Sequence, residues 1–294
     1  MNYAILSIAT VMFAAQSVII KRYNILNAER KSAVPLYQLL FFAACCIFYA
    51  VYSVADFSFD IAVLPYAAGF AFCFFTAVFS MAAALKTGPV SLTSLFVQCS
   101  ITLTVLYGFI FWGEQVTPMA VAGLVLFLIT MGFCLLGGGR KGEKEEGGAA
   151  KISKKWLAFA LVMTAANAAC LIIQKTQQLV FDGQYKNMFM LAAVFFSVLI
   201  AAVYFLISNK EGTAVMVKRC SYFPIAAGIC NSCVNLFLMI LATRLKSGVV
   251  YPVVGIGSLV ILLFMSKLLF KEKITLPQWA GMGVGFISIV LLSV

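Results

Sequence analysis

Cys230-x-x-Cys233 is the pair in this chain whose spacing most suits chemistry, because two thiols so placed can share a zinc ion or exchange a disulfide. A zinc site needs two further ligands. The 294 residues contain no histidine and no partner pair of thiols, and Cys230 and Cys233 lie inside an apolar stretch. Small packing residues are the better reading. The nine cysteines (45, 46, 73, 99, 134, 170, 220, 230 and 233) all fall in or at the ends of apolar stretches and imply no disulfide framework. Covalent or acid–base catalysis fares no better: the chain has no histidine and every carboxylate lies outside those stretches, so the usual general bases are missing from them. Neither an enzyme nor a cofactor is expected.

What remains is recognition by uncharged polar groups. Gln16, Asn167, Asn231 and Asn235 are amides inside apolar stretches, the last two four residues apart. Ser91, Ser94, Gln98 and Thr102 fall near one helical face, and Thr76 and Ser80 are four apart. An amide in hydrocarbon is costly unless paired, so these groups should face inward. Gln16, Thr76, Ser94, Gln98, Asn167, Asn231, Asn235 and Ser258 are the candidates for contact with a solute. For the hydroxyls the competing role is hydrogen bonding between helices, worth about 0.6 kcal/mol each.

The elements that must carry these residues follow from charge spacing. Hydrophobic residues make up 63% of the chain and charged ones 11%, with mean hydropathy +1.04. Ten charge-free stretches run at 1–20, 32–55, 61–85, 87–113, 115–139, 156–174, 187–209, 220–243, 247–266 and 274–294. About 20 helical residues cross a roughly 30 Å hydrocarbon core. The stretches lack the alternation of a barrel strand. The expected fold is an all-α integral membrane protein with ten transmembrane helices. Trp112, Trp156 and Trp279 stand at span ends, where indole favours the headgroup layer. Lys21 and Arg22 follow the first stretch rather than precede it, so it reads as a span and not a cleaved signal.

Ten spans put both termini on one face. Alternate loops hold 17 and 4 of the 21 basic residues, Lys175 and Lys186 among the 4. The positive-inside rule places the basic-rich loops in the cytoplasm of a cell-membrane protein and both termini outside. The net charge of +11 then serves orientation and contact with anionic lipid. No nucleic-acid partner is implied.

Residues 138–154 are Gly-rich and charged, and read as a flexible cytoplasmic linker between residues 1–137 and 155–294. The two parts repeat. Ala84-Leu85-Lys86-Thr87-Gly88-Pro89-Val90 aligns with Arg244-Leu245-Lys246-Ser247-Gly248-Val249-Val250 at an offset of 160, which also pairs Gln98 with Ser258. Phe111-Trp112-Gly113-Glu114-Gln115-Val116-Thr117 aligns with Leu269-Phe270-Lys271-Glu272-Lys273-Ile274-Thr275 at 158, which also pairs Gly123 with Gly281. Five spans per half invert the second half relative to the first, an architecture that recurs in secondary transporters. Glu114 and Glu272 are expected to cap the helices that follow them. Gly281-x-x-x-Gly285 is expected to pack against the fifth span.

Leu85-Lys86-Thr87-Gly88-Pro89, Trp112-Gly113-Glu114, Leu245-Lys246-Ser247-Gly248 and Lys271-Glu272-Lys273 resemble the drug/metabolite transporter superfamily, EamA-like branch. The resemblance implies a ten-helix solute carrier with a cavity lined by helices 1–4 and 6–9, and helices 5 and 10 peripheral. Two features depart from it. Helix 4 has no proline after Pro89, and the charge count puts the termini outside where members are usually drawn with them inside. The expected function is alternating-access transport of a small metabolite, such as an amino acid or related amphiphile, by a monomer or homodimer. A flippase for a lipid-linked carrier and an exchanger of anionic metabolites, using Lys86, Lys246 or Lys267, are the alternatives. With no carboxylate inside a span, proton coupling through an intramembrane acid is not expected.

Overall fold

The computed structural model describes residues 2–27, 30, 32–54, 57–87, 90–114, 117–138, 154–208, 211–245, 247–270 and 276–293. They form α1 (Asn2–Leu26), α2 (Ala33–Ser53), α3 (Leu64–Thr87), α4 (Val90–Phe111), α5 (Pro118–Gly138), α6 (Lys154–Val180), α7 (Lys186–Ile207), the short α8 (Thr213–Cys220), α9 (Tyr222–Ala242), α10 (Ser247–Phe270) and α11 (Leu276–Ser293). A single 3₁₀ turn, Ile61–Val63, precedes α3, and no strand occurs among the described residues. Five of the seven prolines (35, 65, 118, 224 and 277) fall in the first turn of a helix, where the missing N–H removes no intrahelical bond.

Each charge-free stretch carries one of the long helices, and α8 adds a helix inside what the sequence reads as a loop. Among the described residues, six helices are long and apolar enough to cross a membrane: α1, α2, α3, α6, α7 and α9. The outer surface is apolar. Ile110 is 71% exposed and Phe72 67%, and Ile47, Leu206 and Phe286 are similarly bare. A water-soluble surface rarely exposes so much contiguous apolar area. A membrane-embedded protein does so necessarily.

Two large apolar cores lie inside, beside a small cluster of Ala84, Trp156 and Ala160. One is aromatic, built by Phe41, Phe42, Phe70, Phe74 and Phe189 of α2, α3 and α7, with Phe42 and Phe74 meeting edge-on at 5.1 Å. The other is mainly aliphatic and joins α1, α9 and α10 to α4 and α5 through Leu6, Val105, Phe127, Leu238 and Val254. The main packed pairs are α1 with α9 and α10, α2 with α7 and α9, α3 with α6 and α7, α4 with α5, α6 and α10, and α11 with α5 and α10, with a lighter contact between α6 and α9.

Contacts between helix ends define two faces. On one, Ser32 donates to the Glu211 carbonyl at 2.6 Å, and Trp156 Nε1 donates to Thr93 Oγ1 at 3.0 Å. On the other, the Asp60 amide meets Met188 Sδ at 3.2 Å, and Trp112 Nε1 donates to Thr176 Oγ1 at 3.2 Å. α2 and α7 therefore run antiparallel, and α4 and α6 parallel.

Close approach sets the registers. A Cβ on Gly228 of α9 would sit 2.6 Å from the Phe41 carbonyl oxygen of α2, backbone that cannot swing away. Gly228→Ala is expected to cost about 1–3 kcal/mol, read as a lower melting temperature of the purified protein in detergent. A Cβ on Gly285 of α11 would sit 2.8 Å from Ile256 Cγ2 and 3.1 Å from Thr130 Cγ2 of α5, and Ser288 donates to the Gly123 carbonyl at 2.7 Å. This is the close packing expected of Gly281-x-x-x-Gly285, although Gly283 faces open space.

Three expectations need correction. Trp156 is 2% exposed, its N–H taken by Thr93 and its ring edge-on to Phe96 at 5.5 Å, so it belongs to the packed interior rather than the headgroup layer. Lys175 is no loop residue, because α6 continues to Val180 and buries it. Glu114 does not cap α5; Thr117 does, its Oγ1 accepting from the Ala120 amide at 3.1 Å. The linker 138–154 falls, apart from its end residues in α5 and α6, outside the described residues, as does Glu272.

Candidate functional site

Four amides from three helices form a chain through the interior. Asn231 Nδ2 donates to Gln16 Oε1 at 3.2 Å, joining α9 to α1. One helical turn along α9, Asn235 Nδ2 donates to Asn231 Oδ1 at 2.8 Å and to the Asn231 carbonyl at 3.0 Å. Gln174 Nε2 of α6 donates to the Asn235 carbonyl at 3.1 Å and reaches its Oδ1 at 3.4 Å. The four-residue spacing of Asn231 and Asn235 puts both on one face of α9, and the crossing of α9 with α1 and α6 brings the glutamines to it. Gln16 and Asn231 stand mid-helix; Asn235 and Gln174 lie toward the face of the α4–α5 turn. Gln174 is 1% exposed, and its Oε1 accepts from no group among the described residues.

The next residue carries a charge. Lys175 pairs with Glu114 of the α4–α5 turn, the two side chains being 4% and 9% exposed. The Lys175 ammonium also lies 4.9 Å from the centre of the Trp112 ring, within cation–π range. Tyr251 of α10 is buried one turn below, its hydroxyl 3.4 Å from the Leu171 carbonyl. The segment Gln174-Lys175-Thr176-Gln177-Gln178 is thus a polar end to an apolar helix. Gln178 donates to Gln177, and Gln177 to the Gln184 carbonyl at 3.3 Å.

The candidates from sequence divide cleanly. Gln16, Asn231 and Asn235 meet. Thr76 donates to the Phe72 carbonyl at 2.7 Å and Ser258 to that of Gly255 at 2.9 Å, so both hydroxyls are satisfied within their own helices. Asn167 lies half-buried on α6, two turns before Gln174, and does not join the chain. Ser94 and Gln98 lie on α4, and their side chains fall outside the described residues. Thr102, on the same face, has a buried Oγ1 with no hydrogen-bond partner among the described residues. Gln174, Lys175, Glu114 and Trp112 are the residues missed. Their signal was the Gln-Lys-Thr-Gln-Gln run, too polar to end a span without a reason.

No family model matches the chain, and no curated protein does. A solved structure, described only as the crystal structure of a protein, superposes with a TM-score of 0.68 over 99% of this chain and 95% of its own, at 14% identity. The likeness is one of fold alone.

Proposed function

We propose that the chain is a secondary transporter that moves a small polar metabolite across the cytoplasmic membrane by alternating access. The observation that carries this reading is the buried amide chain Gln16–Asn231–Asn235–Gln174, which ends in the unpaired acceptor Gln174 Oε1. Buried polar groups in an apolar interior are expensive, and an acceptor left open there suits a solute N–H or O–H.

Helix packing supports the two-repeat reading, with residues 1–137 and 155–294 as inverted halves of EamA-like, drug/metabolite transporter type. Exchange α1 for α6, α2 for α7, α3 for α9, α4 for α10 and α5 for α11. The pair α3·α6 becomes α9·α1, α2·α9 becomes α7·α3, α1·α10 becomes α6·α4, and α10·α11 becomes α4·α5, all of them packed pairs. The pairs α2·α7, α4·α10 and α5·α11 map onto themselves. The most extensive packed pairs are kept by this swap, which favours two similar arrangements, one open to each side. The amide chain joins α1 of the first half to α6 and α9 of the second, across the seam such a motion uses. With ten spans, the charge count places the basic-rich loops in the cytoplasm and the α4–α5 turn outside.

The test is ligand stabilisation followed by flux. Purified protein screened against a metabolite library should gain melting temperature with a small polar solute, since a ligand for the native state stabilises it. The same solute should cross liposomes containing the protein and not empty ones. Absence of flux for every stabilising compound would sink the transporter reading.

A further inference from the structure

We propose that Glu114 and Lys175 form the closing contact of the solute pathway on the face of the α4–α5 turn. The inference rests on the carrier reading. Position is the first support. Lys175 follows Gln174, the last member of the amide chain, so the pair stands between that chain and the loops of this face. Connection is the second. Glu114 and Trp112 belong to the first half, Lys175 and Thr176 to the second, so the pair and the Trp112–Thr176 bond both cross the seam that has to part.

Chemistry is the third support. Two charges almost sealed from water attract strongly, yet each would be costly alone. The contact therefore holds while dry. When water enters, both charges are hydrated and the attraction falls. Such a contact is stable when shut and tolerable when open, which is the behaviour of a two-state element rather than a graded one. Trp112 suits the part, since its ring face offers the ammonium a second partner as the carboxylate withdraws.

Access to the amide chain reads this directly and needs no solute. Cysteine is introduced at Asn235, or at Gln174 as a second probe position, and labelled with a membrane-impermeant maleimide in intact cells and in inverted vesicles. The signal from the native cysteines alone is subtracted. Glu114→Gln and Lys175→Gln are each expected to raise the labelling rate about tenfold, from the α4–α5 face only. The charge swap Glu114→Lys with Lys175→Glu is expected to return it toward the parent value. Glu114→Asp keeps the charge and shortens the arm; it should give an intermediate rate, and it carries the test if the glutamine variants do not fold. Unchanged labelling in folded variants, or an equal rise from both faces, overturns the proposal. Failure of the carrier reading would look different: no flux in liposomes, with the labelling contrast intact.

Discussion

Lys175→Met will destabilise the protein by about 3–5 kcal/mol, while the double variant Glu114→Gln with Lys175→Met will recover most of that loss. The reasoning turns on what the single change leaves behind. Glu114 is 9% exposed, and the ammonium is its ion-pair partner. Removing the lysine takes the opposing ammonium away from a carboxylate almost sealed from water. Removing both charges strands nothing, and the methionine fills the space under the Trp112 ring. A buried pair is weak support for stability as such, since apolar replacements of similar size often match it. Melting of the three proteins in one detergent checks this. Equal stability of the single and double variants would mean that the pair is hydrated in solution.

The second large effect concerns transport. Asn235→Leu will lower the transport rate of the solute found by screening by about 10- to 100-fold. Asn235 holds the middle of the amide chain, giving two hydrogen bonds toward Asn231 and receiving Gln174. Leucine has similar bulk and no polar atoms, so Gln174 loses its contact with the side chain at 235 and keeps its bond to the residue-235 carbonyl. Asn167→Leu is the control, because Asn167 stands on α6 outside the chain. It will retain most of the rate. Flux in liposomes, with melting to show that both variants are folded, separates the outcomes. Equal losses in the two variants would remove the amide chain from the solute path.

Much of this was legible before any coordinates. The hydrocarbon thickness fixes how long a charge-free stretch has to be, so the long helices could be read off charge spacing. An amide inside such a stretch has to face the interior, which is why Gln16, Asn231 and Asn235 could be picked out one by one. Their meeting could not, because it depends on how α9 crosses α1 and α6. Charge spacing also misled. It ended the sixth span at residue 174, where the helix runs on to Val180. The rule assumes that a charge marks water, and Lys175 has Glu114 in place of water. That partner lies 61 residues earlier, at a separation no periodicity announces. Trp156 failed for a related reason, its indole N–H being answered by Thr93 rather than by a headgroup.

The seam between α2 and α9 limits the motions open to the molecule. Cys45 donates to the Gly228 carbonyl at 3.3 Å, and four residues on in both helices Tyr49 donates to the Ser232 carbonyl at 2.8 Å. The two helices therefore run parallel, pinned at two points one turn apart, with the backbones in contact at Gly228. A slide of less than a full turn would break both pins at once. Rotation about the seam keeps them. The helices of this pair come from either side of the linker, so in the proposed rocking motion the seam is expected to act as an axle, with rearrangement pivoting about it and not shearing along it.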